Sequence, residues 1–233
     1  MVEPGKKVTV QEMFDVISPK YDFLNHFLSF GLDNGWRKKL VSILAARNPT
    51  SVLDVATGTA DLAIATASLN PKKIIGIDLS EKMLAIGREK INRLGLNQLI
   101  TLHCADAERI PFPDDSFDTV TVAFGVRNYE NLETGLREMR RVLRPGGLML
   151  ILEFSHPVSF PMKQIYRAYS RFVIPVVGRF FSGNKKAYTY LPESVAAFPS
   201  GNTFLDILKK QELINTYRIS LSMGIVSIYT AEK

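Results

Sequence analysis

SVLDVATGTADLA, residues 51–63, runs from an apolar stretch through a single glycine into what reads as a helix. A strand that opens into a glycine turn at a helix start cradles phosphate or a nucleoside. The residues missing from the turn decide between them. A triphosphate loop needs Gly-Lys-Ser/Thr, and Gly58 is followed by Thr59, Ala60 and Asp61, so no lysine reaches a β- or γ-phosphate. A dinucleotide turn needs G-x-G-x-x-G so that backbone can approach a pyrophosphate, and here there is one glycine. Asp54 and Asp61 lie where they would repel a dianion; they suit a cationic or neutral ligand. Asp61 also reads as an ordinary first-turn helix residue.

Outward from this turn the rhythm repeats. SVLDVA, KIIGID, LITLHCA, FDTVTVAF and GLMLILEF are short and almost continuously apolar, with helical stretches at about 60–69, 80–94 and 131–143 between them. Strands buried on both faces and alternating with helices predict a mostly parallel sheet covered on both sides, a Rossmann-like α/β fold. The run LRPGG (143–147) ends a helix and turns into the fifth strand. Three acids fall at successive strand ends: Asp54, Asp78 and Asp106. Ligands in open α/β sheets bind at such carboxyl ends. Asp78 is placed to accept from ribose hydroxyls, and Asp106 from an adenine amino group with the Ala107 N–H beside the ring. Asp54 and the carbonyls around Gly58 are expected to face a sulfonium. A nucleoside that carries a cation and no phosphate describes S-adenosylmethionine.

The flanks differ from this core. Residues 9–46 read as short helices, broken at Ser18-Pro19. Residues 156–200 lose the alternation and hold Pro157, Pro161, Pro175, Pro192 and Pro199 among many aromatics. Within them Ile165, Tyr169, Phe172, Val173 and Val176 share a helical face, opposite Lys163, Arg167 and Arg171, with Pro175 expected to kink or end the helix. NTFLDILKK reads as a helix, and TYRISLSMGIVSIYTAEK as an antiparallel hairpin turning near Met223-Gly224, which completes seven strands. The division expected is a helical flap (1–46), a cofactor-binding core (50–155), a substrate-cap insert (156–200) and a terminal helix with hairpin (201–233), all in one domain.

Charge is unevenly spread over the 233 residues, whose net charge is +6. No acid lies between Phe154 and Pro192, while Lys163, Arg167, Arg171, Arg179, Lys185 and Lys186 all do, so the entire excess sits in the insert. Such a patch points to an anionic surface or ligand, or to a solvated helix face. One cysteine, Cys104, excludes an internal disulfide and reads as a buried strand residue. No apolar run approaches a signal peptide or membrane span, so a cytoplasmic protein is expected. His26, His103 and His156 sit in apolar or loop contexts and form no metal-ligand cluster, so no metal is expected.

YDFLNHFLSFGLDNGWR (21–37), VLDVATGTADLA, ADAERIPFPDDSFDTVTVAFGVRNYEN, RVLRPGGLMLILEFSHP and YTYLPESV (188–195) together resemble the ubiquinone/menaquinone biosynthesis C-methyltransferases, within the class I methyltransferases. The resemblance covers nearly the whole chain and departs from the family pattern at Ala60, where glycine is usual, at Leu24, Asp33 and Arg144, and at Ala123. It implies methyl transfer from S-adenosylmethionine to a ring carbon of a prenylated quinol, demethylmenaquinol or the ubiquinone-pathway benzoquinol, and it maps the family's cofactor contacts onto Thr59, Asp78, Asp106 and Ala107. A phenol ionises near pH 10, so such a site must favour the phenolate. Arg127, directly after the fourth strand, is the residue expected to stabilise the quinolate oxygen or hold a water, since a guanidinium does not act as a base. Asn128 is expected to orient ring oxygen or water, and Tyr21 and Asp22 to close the site from the flap, Asp22 as a candidate base. The insert is expected to cover an isoprenoid tail with its apolar face and rest its basic face on anionic lipid at the inner face of the membrane. Competing readings are a methyltransferase of a polar metabolite, an RNA methyltransferase and a non-catalytic cofactor-binding partner. No RNA-reading motif appears, so no nucleic-acid partner is expected.

Overall fold

The computed structural model describes residues 5–173 and 185–233. Three helices come first: α1 (Lys6–Ile17), α2 (Tyr21–Leu28) and α3 (Leu32–Ala45). Strands and helices then alternate as β1 (Ser51–Val55), α4 (Asp61–Thr66), β2 (Lys73–Asp78), α5 (Glu81–Arg93), β3 (Ile100–Cys104), β4 (Phe117–Ala123), α6 (Leu132–Val142) and β5 (Leu143–Phe154). The insert supplies α7 (Met162–Ala168), continued by a single π turn (Tyr169–Val173), and α8 (Lys185–Ala197). The chain closes with α9 (Asn202–Lys210), β6 (Ile214–Leu221) and β7 (Val226–Glu232).

The sheet order is β3-β2-β1-β4-β5-β7-β6. β1 to β5 pair in parallel, while β7 runs antiparallel to both β5 and β6. This is the doubly wound sheet with a terminal hairpin that the strand rhythm predicts. The order reverses between β1 and β4, which opens a crevice at their carboxyl ends. Alternation along β5 shows how both faces are covered. Met149 and Ile151 join Leu136, Met139, Phe204 and Leu208 in one layer, whereas Leu148, Leu150 and Leu152 join Trp36, Leu40 and Leu44 of α3 in the other. Helices such as α3, α6 and α9 present one apolar stripe to the sheet, which is why the helical and strand periods interleave in the sequence.

Three expectations need correction. β5 begins at Leu143 itself, and the six residues from Leu143 to Leu148 lie opposite only Phe117 to Thr119, so LRPGG is an irregular strand entry with Gly146 at φ +74°. Cys104 is exposed, because β3 is an edge strand that packs one face only. The long helix expected through Val173 instead changes to π geometry at Tyr169. Pro175, Val176 and Arg179 lie outside the described residues, as do the side chains of Arg171, Lys185 and Lys186.

Candidate functional site

Two cavities meet at the carboxyl ends of the strands. The smaller, of about 90 Å³, lies in the switch-point crevice and is lined by Gly58, Asp78, Asp106, Ala107, Phe124 and Asn128, with Lys7, Gln11 and Phe14 of α1 above them. Gly58 holds φ +56°, a region that costs a side chain but not glycine. That turn aims the Gly58 N–H at Asp78 Oδ2 (2.8 Å), while the Ser80 N–H donates to Oδ1 (2.9 Å). Burial pushes the Asp78 carboxyl up, against the pull of these backbone bonds. Each oxygen keeps lone pairs for a further donor, which suits the two hydroxyls of a ribose. Asp106 accepts from the Lys7 ammonium (2.6 Å) and from the Glu108 N–H (2.9 Å). A cleft floored by carboxylates, whose lining lysine, Lys7, is already paired with Asp106, fits a phosphate-free nucleoside bearing a sulfonium better than a phosphate. Of the predicted residues, Asp78, Asp106, Gly58 and Ala107 line this cleft.

Three other predicted site residues face elsewhere. Asp54 is buried inside β1, 1 % exposed, with its oxygens taken by the Thr57 hydroxyl (2.6 Å) and the Thr121 hydroxyl (2.8 Å). Burial lifts its carboxyl to about 6. It braces β1 to β4 and lines neither cavity, so it does not face a sulfonium. The Thr59 hydroxyl turns away from the cleft to Asp22 Oδ1 (2.6 Å) and accepts from Lys90 (3.0 Å). Asp22, expected as a candidate base, is ion-paired with Lys90 (2.6 Å) and lines neither cavity. Lys90 also holds Asp61 (2.5 Å), so these groups strap α2 to the glycine turn and α5. His26, half-exposed, bonds Asp33 (3.1 Å), which also carries the buried Arg37 (2.6 Å). His103 is exposed and packs edge-on against Phe112.

The larger cavity encloses about 870 Å³ between α2, α3, the ends of β4 and β5, α7 and α8. Its wall is largely aromatic and aliphatic, and Phe14, Tyr21 and Phe124 line both cavities. Phe124 adopts φ +58°, strained for a bulky residue, and stacks on Phe154 at 4.6 Å with Trp36 at 6.0 Å. Arg127 reaches this cavity from the turn after β4 and is only 7 % exposed. Its Nη1 pairs with Glu153 Oε1 (2.8 Å) and donates to the Phe124 carbonyl, while its Nε is buried with no partner among the described residues. Glu153 is fully buried, and burial raises its carboxyl although Arg127 pulls it down. The Tyr21 hydroxyl bonds Asn25, and burial raises it while the nearby guanidinium lowers it.

Glu153 and Tyr190 escaped the reading of the sequence. Glu153 sits within the apolar run ILEF, where a lone acid inside a buried strand is itself a signal that a cation waits opposite. The Tyr190 hydroxyl donates to Asn128 Oδ1 (3.0 Å), so Asn128, which lines the small cleft, is tied to a residue of the large cavity. Nothing local in YTYLPESV announces that partner 62 residues away. What converges between the two cavities is a guanidinium, two tyrosine hydroxyls and a carboxamide, which together can hold and polarise an oxygen on an aromatic ring.

Residues 2–233 match the model of the ubiE/COQ5 methyltransferase family. A demethylmenaquinone methyltransferase of Bacteroides fragilis is 45% identical over 231 residues, covering 98% of this chain and 94% of that protein. A ubiquinone/menaquinone biosynthesis C-methyltransferase of Geotalea daltonii is 44% identical over 235 residues, covering 100% and 99%. Among solved structures, a SAM-dependent methyltransferase of Thermotoga maritima superposes with a TM-score of 0.67 at 19% identity, covering 95% of this chain and 99% of that one. At that identity the likeness speaks for the fold alone.

Proposed function

The chain belongs to the ubiE/COQ5 methyltransferase family, and on that premise we propose that it methylates a ring carbon of a prenylated quinol, demethylmenaquinol foremost, held in the large apolar cavity. The observation that carries this reading is the shared wall. An 870 Å³ largely apolar chamber abuts the cofactor cleft at Phe14, Tyr21 and Phe124, and of the two buried guanidinium groups that line it, Arg37 is held by Asp33 while Arg127 lies in the turn after β4 that carries this wall. A polar metabolite would find few partners in such a chamber, whereas a naphthol ring and isoprenoid tail would find many.

S-adenosylmethionine is the methyl donor, and it supplies an electrophilic methyl on a sulfonium. Asp78 accepts from ribose hydroxyls, and Asp106 with the Ala107 N–H takes the adenine edge. Arg127 stabilises the anionic oxygen of the acceptor, which puts electron density on the adjacent ring carbon. Glu153 and the Phe124 carbonyl keep the guanidinium from rotating, so its position is set before the acceptor arrives. Asn128 and Tyr21 hold the ring against the cofactor side. Helices α1 and α2 close the cleft from above and exclude water, Lys7 latching on Asp106.

The insert serves as the lipid-facing cap in this reading. Phe160 is 82 % exposed, Ile165 56 % and Phe172 64 %, beside Lys163 and Arg167 at the mouth of the cavity. Exposed aromatics with adjacent cations suit an anionic bilayer surface. No helix among the described residues is long and apolar enough to cross a membrane.

Radiolabelled S-adenosylmethionine offered with a short-tailed demethylmenaquinol, or a demethylated benzoquinol, tests the reading. Label on the ring carbon is the expected result, with faster transfer to the preferred ring. Cofactor binding without transfer to either quinol would overturn it and return the polar-metabolite reading to first place.

A further inference from the structure

We propose that Tyr190 makes the site selective for the reduced, hydroxyl-bearing form of its aromatic acceptor. The inference rests on the quinol reading above and adds the residue that tells quinol from quinone. The Phe124 carbonyl is fixed at the end of β4 by that residue's left-handed backbone (φ +58°) and by the Arg127 guanidinium. A carbonyl only accepts, so the Asn128 side chain must turn its NH₂ toward it, at 3.3 Å. The amide oxygen then faces Tyr190 Oη at 3.0 Å. That oxygen also only accepts, so the Tyr190 hydroxyl must donate its one proton to Asn128.

The chain of bonds therefore has a single polarity, running from Tyr190 through Asn128 to the Phe124 carbonyl. Tyr190 lines the large cavity with its proton already committed and only lone pairs to offer. A quinol hydroxyl supplies the donor that those lone pairs need. A quinone carbonyl sets lone pair against lone pair in a largely apolar cavity, which leaves both oxygens poorly satisfied. Arg127 cannot make this distinction. Its guanidinium, which lines the same cavity, only donates, and it serves a carbonyl oxygen as readily as a phenolate. The guanidinium fixes one ring oxygen in either redox state, and Tyr190 reads the state at the other. Burial keeps the Tyr190 hydroxyl protonated, its ionisation pushed up, so the polarity persists through the ordinary pH range.

Trp36, the sole tryptophan of the chain, lines the same cavity and gives the readout. Quenching of its fluorescence by a short-tailed demethylated naphthoquinol, and separately by the corresponding quinone under anaerobic conditions, gives two dissociation constants for the full chain. The wild-type protein should bind the quinol about 10-fold or more tighter than the quinone, the scale set by one unmatched buried polar contact. Tyr190→Phe should bring the two within about twofold by weakening the quinol. Asn128→Leu should also bring them within about twofold, but by strengthening the quinone, because the Tyr190 hydroxyl is then free to donate. This opposite route to the same ratio is what a merely structural role would not produce, and it stands even where Tyr190→Phe fails to fold. Equal affinities in the wild type, or a ratio that survives both substitutions, would overturn the inference and leave the quinol reading intact. Binding of neither form would overturn the quinol reading, and this inference with it.

Discussion

The small cleft takes Asp78 from the last residue of β2 and Asp106 from the loop just after β3, and its glycine turn directly follows β1. The large cavity draws its wall from α1, α2, α3, the ends of β4 and β5, α7 and α8, segments spread from Met13 to Ile225. Its polar groups are equally dispersed, with Arg127 braced by Glu153 and Asn128 by Tyr190. Recognition of the cofactor is therefore written locally, whereas recognition of the acceptor exists only once the sheet has been assembled. The difference teaches where substitutions in this protein should act: on ligand affinity at the cleft, and on both folding and chemistry at the cavity.

Glu153 offers the strongest way to break that contrast. Glu153→Ala strands the 7 % exposed Arg127 without its counter-charge, and should cost about 3–5 kcal/mol of stability in denaturant titration. A loss near zero would mean that the pair is not buried in solution and that the cavity is looser than the cleft. Asp54 tests the cleft side through pH. Its carboxyl, lifted by burial to about 6 against about 4 in an unfolded chain, binds its proton more tightly in the folded state. The stability contributed by this one group is therefore fullest below pH 4 and falls by about 2–3 kcal/mol as pH rises through about 6, levelling off above. Asp54→Asn should flatten that slope; a slope that persists in the variant would assign it to another group. The smallest effect is expected at Ala60, which holds φ +66° in a fully buried position where the family usually has glycine. Ala60→Gly should relieve that backbone and raise stability by roughly 0.5–1 kcal/mol. A destabilised variant would show that the buried methyl, packed toward α5, outweighs the strain.

The same contrast explains what could be read from the sequence. The strand rhythm, the hairpin and the acids Asp78 and Asp106 were legible because each depends on a period or a turn of a few residues. Asp54 stands beside the turn in the sequence, whereas Thr121, which bonds its oxygen from a neighbouring strand, is invisible there. Asp22 and Thr59 likewise lie near the turn, and their tie to Lys90, 31 residues beyond Thr59, has no local signal. Cys104 was placed inside because an apolar run does not say whether its strand is central or at the edge. Glu153 and Tyr190 find partners across 26 and 62 residues, a pairing that only the crossing of β5 beside β4 and the packing of α8 against the turn after β4 create.

The central claim is that cofactor and acceptor are recognised by separate groups that meet at Phe14, Tyr21 and Phe124. Paired affinities for S-adenosylmethionine and for a short-tailed demethylmenaquinol, measured with turnover for Asp78→Asn and Arg127→Ala, test it most directly. Asp78→Asn should weaken the cofactor by about 10-fold or more and leave the quinol within about twofold. Arg127→Ala should leave the cofactor within about twofold and lower kcat by roughly 10²–10³, the scale of losing a preorganised donor to a developing anion. If either substitution weakened both ligands alike, the two cavities would be one site, and the division of labour argued from their walls would be wrong.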